Sequence, residues 1–338
     1  MEIISLSEVS EVKTGTKNRE NNEENGLYPF YTRSQNILKS SEYTIDDEAI
    51  IIPGEGIFIP IWHSGKAAVH QRTYIVKSSD NKRLLNKYLY YWWSKNKIIL
   101  DKSAVGSTVK SLRKFHFLNP KIKLPSILYQ LDIIAIIEPF EKLNNQIRKL
   151  IQKLKYIYFK IINNFSDSIG FMKDNQILFE KGINFHEVML SENEDIPFIN
   201  VSAINNNINK FIKSDYMDKV NTEIGDVMLS LDGNPGLVNN FLWGINGYGY
   251  KVISKNNNFS NYQIYFSLLS RINQIIIEKN ATGTTIKHAT KAKNKLIIFT
   301  FNKWNEILEL IFFYEIKLKE ILNLSNKIIN KLIKLFVI

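Results

Sequence analysis

From residue 133 to 165 the positions Ile133, Ile137, Phe140, Asn144, Ile147, Ile151, Leu154, Tyr158, Ile161 and Phe165 recur at alternating intervals of four and three, and all but Asn144 are apolar. That spacing is the heptad seam of a coiled coil. A second series, Ile307, Ile311, Tyr314, Leu318, Ile321, Ser325, Ile328, Leu332 and Leu335, repeats it near the other end. Both outlast an average helix of ~11 to 12 residues, and ~33 residues of helix extend about 50 Å at ~1.5 Å each. Two such seams predict one packed pair; the alternative is that each helix lies on its own domain. Pro139 removes a backbone donor inside the first series, which predicts a kink near Glu138 or a helix restarting with Pro139 in its first turn. Asn144 and Ser325 interrupt the apolar seams, either fixing register at some cost in stability or facing solvent at a loosely packed layer.

Ahead of each seam the pattern changes. Short β-type runs, "EAIIIPG", "GIFIPIW" and "RTYIVKS", are broken by Gly and Pro, and "DVMLSLDG", "GLVNNFLWG" and "YGYKVIS" repeat the arrangement later. An aromatic, helix-like stretch follows in each case, "NKYLYYWWSKNKIIL" and "NYQIYFSLLSRINQII", and then "GSTVK" from Gly106 or "GTTIK" from Gly283. Five anchors keep the same order. "VKTG" ending at Gly15 faces "FEKG" ending at Gly182, "YPFYTRSQN" faces "IPFINVSAI", Gly54 faces Gly233, Tyr74 faces Tyr250, and Gly106 faces Gly283. Their separations of 167, 168, 179, 176 and 177 differ by loop-sized amounts. The chain therefore reads as a collinear duplication of an α+β domain, each copy closed by a long helix. The expected boundaries are 1–120 and 168–300 for the domains, with helices at 121–167 and 301–338. Because each helix leaves the C-terminal side of its own domain, an antiparallel pair holds the domains apart and creates a pseudo-twofold axis.

Composition narrows the function. The 44 Lys and Arg against 33 Asp and Glu leave a formal charge of +11, which suits a polyanionic partner. Heavy use of Lys, Asn and Ile throughout is the bland explanation of the same excess. The absence of cysteine excludes disulfides, thiolate metal sites and a Cys nucleophile, and fits a reducing cytoplasm. No signal peptide is read at the start, and the apolar stretches "IIAII" and "LELIFF" fall well below the ~18 to 20 residues of a membrane span. The five His show no metal spacing, and no Walker-type phosphate loop or Asn/Asp-Pro-Pro-aromatic methyltransferase loop is present. Glu11-x-Lys13 and Glu315-x-Lys317 match half a nuclease motif, a triplet common by chance. No catalysis, cofactor or metal is expected.

Two related but non-identical domains, a fixed spacer and a positive balance suggest a reader of a split site on duplex DNA, where successive major grooves on one face recur about every 34 to 36 Å. Over nearly its whole length the chain resembles the specificity subunit of a Type I restriction-modification system. The resemblance is carried by "LSEVSEVKTG", "YPFYTRSQN", "AIIIPGEG", "GKAAVHQRTYIV" and "GSTVKSL", with the seam after "LPSILYQLDIIAII"; in the second copy by "IPFINVSAI", "GDVMLSLDGNPG" and "ATGTTIKHAT", with the seam after Trp304. Pro139 and the short stretch after the second seam depart from that family's pattern, which bears on partner docking at that end. The resemblance implies two target recognition domains on an antiparallel coiled coil, no chemistry of the subunit's own, and recruitment of two adenine methyltransferase subunits and of ATP-driven restriction subunits. Rival readings are a non-specific nucleic-acid binder and a coiled-coil scaffold.

Candidate contacts follow from residue chemistry. In "GSTVK" and "GTTIK" the Gly permits close backbone approach to a phosphate, Ser107, Thr108, Thr284 and Thr285 donate hydrogen bonds, and Lys110 and Lys287 neutralise charge. The competing reading is a capped Gly turn serving domain-to-helix packing. Base reading is expected from turns where the copies differ. In the first these are Arg33, Ser34 and Gln35, then Lys17, Arg19, His63, Lys66 and Arg72. In the second they are Ser202, Asn205, Asn206 and Asn207, then Lys213, Asn234 and Asn239. Arg pairs bidentately with guanine, and Gln or Asn with adenine. Trp62, Trp92, Trp93 and Trp243 are expected in the core.

Overall fold

The computed structural model describes residues 2–34 and 36–338. The chain divides into two compact units, Met1–Asn145 with Leu324–Ile338, and Gln146–Asn323.

In the first unit "AIIIP" has no polar position, and Ala49–Pro53 accordingly forms a central strand buried at every residue. Thr73–Ser78 and Ile61–His63 flank it, and Ser10–Thr14 lies beyond Thr73–Ser78, all antiparallel. A second sheet orders Leu38–Ser40, Tyr28–Tyr31, Lys66–Val69 and Ile45–Asp46, its middle pair running parallel. The helix Asn86–Lys95 closes the core by burying Tyr88, Leu89, Tyr91, Trp92 and Trp93. Each large apolar side chain so buried contributes about 1.5–3 kcal/mol relative to exposure. Asn86 ties this helix to the sheet by accepting the Ser78 backbone N–H at 2.6 Å. Trp92 and Trp93 are core residues as expected, Trp62 is half-buried against the same core, and Trp243 of the other unit is 38% exposed.

The second unit repeats the plan. Its antiparallel sheet orders Ile177–Lys181, Tyr250–Ser254, Val227–Leu229 and Val238–Asn239, and its second sheet orders Phe211–Ile212, Ile196–Ile199 and Ile245–Asn246, the last pair parallel. Asn261–Leu269 is the core helix, burying Ile264, Tyr265, Phe266 and Leu268. Strand register refines the repeat. Ile52 faces Tyr74 and Leu229 faces Tyr250, so Gly54 matches Leu231, and Gly56 matches Gly233. The third anchor therefore shifts by two positions, and the matched glycines share positive φ, +82° and +77°.

The helix Ile127–Asn164 runs unbroken through Pro139, so no restart occurs there. Within the first unit it meets the end of the helix Asn305–Phe336. The Tyr129 hydroxyl donates to the Phe336 carbonyl at 2.9 Å, Ile137 shares a core with Ile333, and Asn144 Nδ2 donates to Asn326 Oδ1 at 2.8 Å. Ascending positions on one helix meet descending positions on the other, an antiparallel pairing. Within the second unit Tyr158 lies beside Glu315, and the Phe165 and Trp304 rings are 5.3 Å apart, in the same sense. Asn144 and Ser325 are buried, which removes the solvent-facing alternative.

The second seam requires correction. Ile307, Tyr314, Ile321 and Leu335 are exposed, while Leu308, Ile311, Glu315, Ser325, Ile333 and Val337 are buried. A carboxylate holds a core position here, and a hydrophobic pattern slides past it by one position. Glu315 pairs with Lys319 at 2.8 Å, and Lys319 donates to Asn240 Oδ1 at 2.8 Å. Burial and then the Glu315 charge hold the Tyr265 hydroxyl well above its usual pKa, and burial lowers that of Lys319 against the pull of Glu315. Glu141, on the earlier long helix, repeats the arrangement in the first unit. It accepts from the Tyr91 hydroxyl at 3.1 Å and pairs with Lys87 at 2.7 Å. Each long helix thus presents one carboxylate to an aromatic helix of its own unit.

Candidate nucleic-acid interface

Both copies of the Gly-hydroxyl-hydroxyl motif form the same projecting finger. In the first, Val105 and Ser111 exchange two backbone hydrogen bonds, Ser111 N–H to Val105 at 2.8 Å and Val105 N–H to Ser111 at 3.0 Å. In the second, at the matching positions, His288 N–H donates to Thr282 at 2.8 Å and Thr282 N–H to His288 at 2.9 Å. The finger is anchored behind by Leu112 N–H to the Gly54 carbonyl at 2.9 Å, and in the other unit by Ala289 N–H to Leu231 at 2.7 Å. The glycines are required by geometry. Gly106 has φ +124° and Gly283 φ +104°, and a Cβ there would lie 2.3 Å from the Val109 carbonyl oxygen or 2.2 Å from that of Ile286. Ser107, Thr108, Lys110, Thr284, Thr285 and Lys287 are all exposed, and so are the apolar tips Val109 and Ile286.

An acidic residue sits at the base of each finger, and strand register makes the two equivalent. Glu55 bridges to Ser111 and Asp232 pairs with His288, each acid standing immediately before the matched glycine, Gly56 or Gly233. Glu55 accepts from Arg33 Nη1 through one carboxylate oxygen and from Arg72 Nη1 through the other, each at 2.6 Å. The Arg33 hydrogen bond, with help from Arg72, holds this carboxyl below the usual range. Burial, and then the charges of Arg33 and Arg72, lower the pKa of the nearby His70. Two adjoining depressions carry these groups, one lined by Arg72, Gln71 and Arg113, the other by Arg19, Arg33, Ser34 and His70. In the second unit Asp232 accepts from His288 Nδ1 at 2.9 Å and from the Thr290 hydroxyl at 3.3 Å.

Glu55 thus holds Arg33 and Arg72 at the base of the first finger, while Arg19 and Ser34 line the depression that contains Arg33. Ser34 is held in a turn, its hydroxyl accepting from Asn36 N–H at 3.1 Å, and Gln35 lies outside the described residues. Lys17 bridges to His70 and is ion-paired with Glu42. Lys66 stands 4.7 Å over the Tyr43 ring, at the Ile45–Asp46 edge of the second sheet. His63 is buried with both ring nitrogens engaged, to the Tyr31 hydroxyl and the Gly65 carbonyl at 3.0 Å each, and burial lowers its pKa. It is a core histidine, which corrects its expected place among the surface contacts.

In the second unit Asn234 is exposed next to Gly233, and the Val201 side chain lies 3.6 Å from where a Gly233 Cβ would be, which brings the turn Ser202–Asn207 to the finger base. Asn205, Asn206 and Asn207 are all exposed there, and Asn206 takes φ +61° and accepts from Asn239 at 3.1 Å. Asn239 is buried, donating also to the Ile204 carbonyl at 2.9 Å, so it shapes the turn from within, a second correction to the expected surface set. Lys213 is exposed after the strand Phe211–Ile212. Glu55, His70, Arg113, Asp232 and His288 escaped the sequence reading; with the third anchor aligned in true register, the matched acids are visible as a signal. Among the described residues no cluster of three or more His, Asp or Glu is placed to hold a metal, and no helix is long and apolar enough to cross a membrane.

Comparison with known proteins places these features. The family model of the Type I restriction modification DNA specificity domain matches residues 1–156. The Type I restriction enzyme EcoDI specificity subunit of Escherichia coli is 24% identical over 160 residues, covering 45% of this chain; the chain spans about a third, 35%, of that relative's length. Among solved structures, the Type I restriction-modification S subunit from M. genitalium superposes with a TM-score of 0.59 at 14% identity, covering 98% of this chain and 95% of that one. The HsdS subunit from Thermoanaerobacter tengcongensis gives a TM-score of 0.33 at 12% identity, over 99% and 95% of the two chains. Residues 1–156 thus match the Type I restriction modification DNA specificity domain, and over nearly its whole length the chain shares the α+β fold of the M. genitalium S subunit.

Proposed function

We propose that the chain is a non-catalytic, cytoplasmic subunit that reads a bipartite site on duplex DNA, one half-site per domain, and recruits two adenine methyltransferase subunits together with restriction subunits. The recognition domains are residues 1–120 and 168–300. The segments 121–167 and 301–338, through their helices Ile127–Asn164 and Asn305–Phe336, form an antiparallel coiled coil with a pseudo-twofold axis that sets the unread spacer. The observation that carries this reading is the duplicated, exposed finger with basic and polar side chains at its base, on a chain of net charge +11. Ser107, Thr108 and Lys110, with Thr284, Thr285 and Lys287, position the phosphate backbone. Such contacts fix register and carry no sequence information. Arg33, Arg72 and the Ser202–Asn207 turn reach base edges.

Mapping adenine methylation across the host genome tests the proposal. It expects one split motif and its reverse complement, and replacement of residues 1–118 by a homologous domain is expected to change one half only. A change in both halves, or methylation without a split motif, refutes it.

A further inference from the structure

We infer that the acid at the base of each finger, Glu55 or Asp232, is a specificity-determining positioning residue, holding the side chains it contacts, Arg33 and Arg72 or His288 and Thr290, off the phosphates and aimed at the groove. The inference rests on the proposed function and deepens it.

Glu55 is unexpected where net positive charge is wanted. An isolated carboxylate facing DNA phosphates is repelled, and simple charge matching would place a neutral or basic residue there. Its two oxygens are instead divided between Arg33 and Arg72, one guanidinium each. A guanidinium carries five donors, and the contact with Glu55 engages Nη1 of each. The carboxylate therefore fixes where both guanidinium groups stand while leaving further donors on each for a bidentate partner such as guanine. Side chains with such long stems otherwise sample many rotamers and settle on the phosphates, whose charge attracts them from any register.

The second unit makes the same device from different parts. Asp232 occupies the matching place in the repeat, and its partners are His288 and Thr290. Arg33 is replaced by Val201, counting on from the matched strands Tyr28–Tyr31 and Ile196–Ile199, and Arg72 by Tyr248, counting back from the matched Tyr74 and Tyr250. An acid kept at one position while every basic or polar partner changes is the behaviour expected of a holder whose cargo differs between half-sites. A purely structural ion pair would have no reason to keep the acid after both arginines are gone.

The test uses the full-length chain with its methyltransferase subunits and selects bound sequences from a randomised duplex library. Glu55→Gln and Asp232→Asn remove the same charge from different fingers, so each is the charge-matched control for the other. Glu55→Gln is expected to relax base preference about tenfold at positions of one half-site, to leave the other half intact, and to raise affinity for random duplex. Asp232→Asn is expected to relax the opposite half. If either variant fails to fold, as judged by its melting curve, the other decides alone. A wild-type selection with no split motif overturns the proposed function itself. A normal wild-type motif that the variants leave unchanged, or relax equally in both halves, overturns this inference alone.

Discussion

Replacing Gly106 by alanine tests whether the finger is a built feature. At φ +124° a non-glycine residue costs about 1–3 kcal/mol in backbone strain. A Cβ there would also lie 2.3 Å from the Val109 carbonyl oxygen, so the turn has to open. Against this stand four backbone hydrogen bonds, the pair between Val105 and Ser111, Gly56 N–H to Lys110 and Leu112 N–H to Gly54. At ~1 kcal/mol net each they hold with roughly 4 kcal/mol. Strain is the smaller quantity, so the finger distorts and stays attached. The expected loss exceeds the strain alone, about 1–3 kcal/mol, because the collision adds to it, and each kcal/mol lowers Tm by roughly 2–4 °C in a unit of this size. Gly65→Ala is the control, with φ +96° and nothing within 4 Å of its Cβ, so only the backbone strain applies. Calorimetry on both variants separates strain from collision, and duplex binding should fall for Gly106→Ala alone. Equal destabilisation by the two, with binding intact, would refute the reasoning. Gly283→Ala should behave as Gly106→Ala does, because its Cβ meets the Ile286 carbonyl at 2.2 Å.

Two further predictions concern the cores. Glu315→Gln leaves Lys319 inside with its charge uncompensated and should cost about 3–5 kcal/mol in urea denaturation; Glu141→Gln should cost less, because the Glu141 side chain is 19% exposed while that of Glu315 is fully buried. Equal losses would contradict the burial argument. His63, His70 and His116 in the first unit all have pKa values lowered from 6.5, chiefly by burial. Between 6.5 and those lowered values the unfolded chain binds protons that the folded unit does not. Stability from these groups is therefore complete above pH 6.5 and is lost as the pH falls through the folded-state values. Melting followed from about pH 7.5 downwards should show the first unit weakening, and His63→Gln should blunt the slope; a pH-independent melting point would count against it.

Much of the architecture is legible because local pattern and tertiary environment agree. "AIIIP" has no polar position and becomes a strand buried throughout. The first seam predicts the buried Ile133, Ile137, Asn144, Ile147, Tyr158 and Ile161. The second fails because Glu315 occupies a core position that hydrophobicity cannot nominate, and the tempting apolar neighbour Tyr314 is 56% exposed. Site residues divide in the same way. Exposed Lys110, Lys287, Arg33 and Arg72 follow from residue chemistry, whereas His63 and Asn239 carry suitable chemistry and are turned inward by hydrogen bonds invisible in the sequence. Nothing in the sequence around Glu55 marks it as a partner of Arg33 and Arg72. Only its distance from two arginines gives it meaning.

The duplication itself supplies a way to separate architecture from readout. Features the two units share, the positive-φ glycine, the paired backbone bonds of the finger and the acid at its base, are set by folding one plan twice. At matched positions where the copies differ, Ser111 becomes His288, Arg33 becomes Val201 and Arg72 becomes Tyr248. Nothing in the shared backbone requires those changes, since both fingers close with the same bonds. Under the proposed function the differing positions therefore carry the difference between half-sites. The first domain, with two fixed guanidinium groups, should favour guanine in the major groove, and the second, with hydroxyl, amide and imidazole groups, should favour a half-site read without paired arginines.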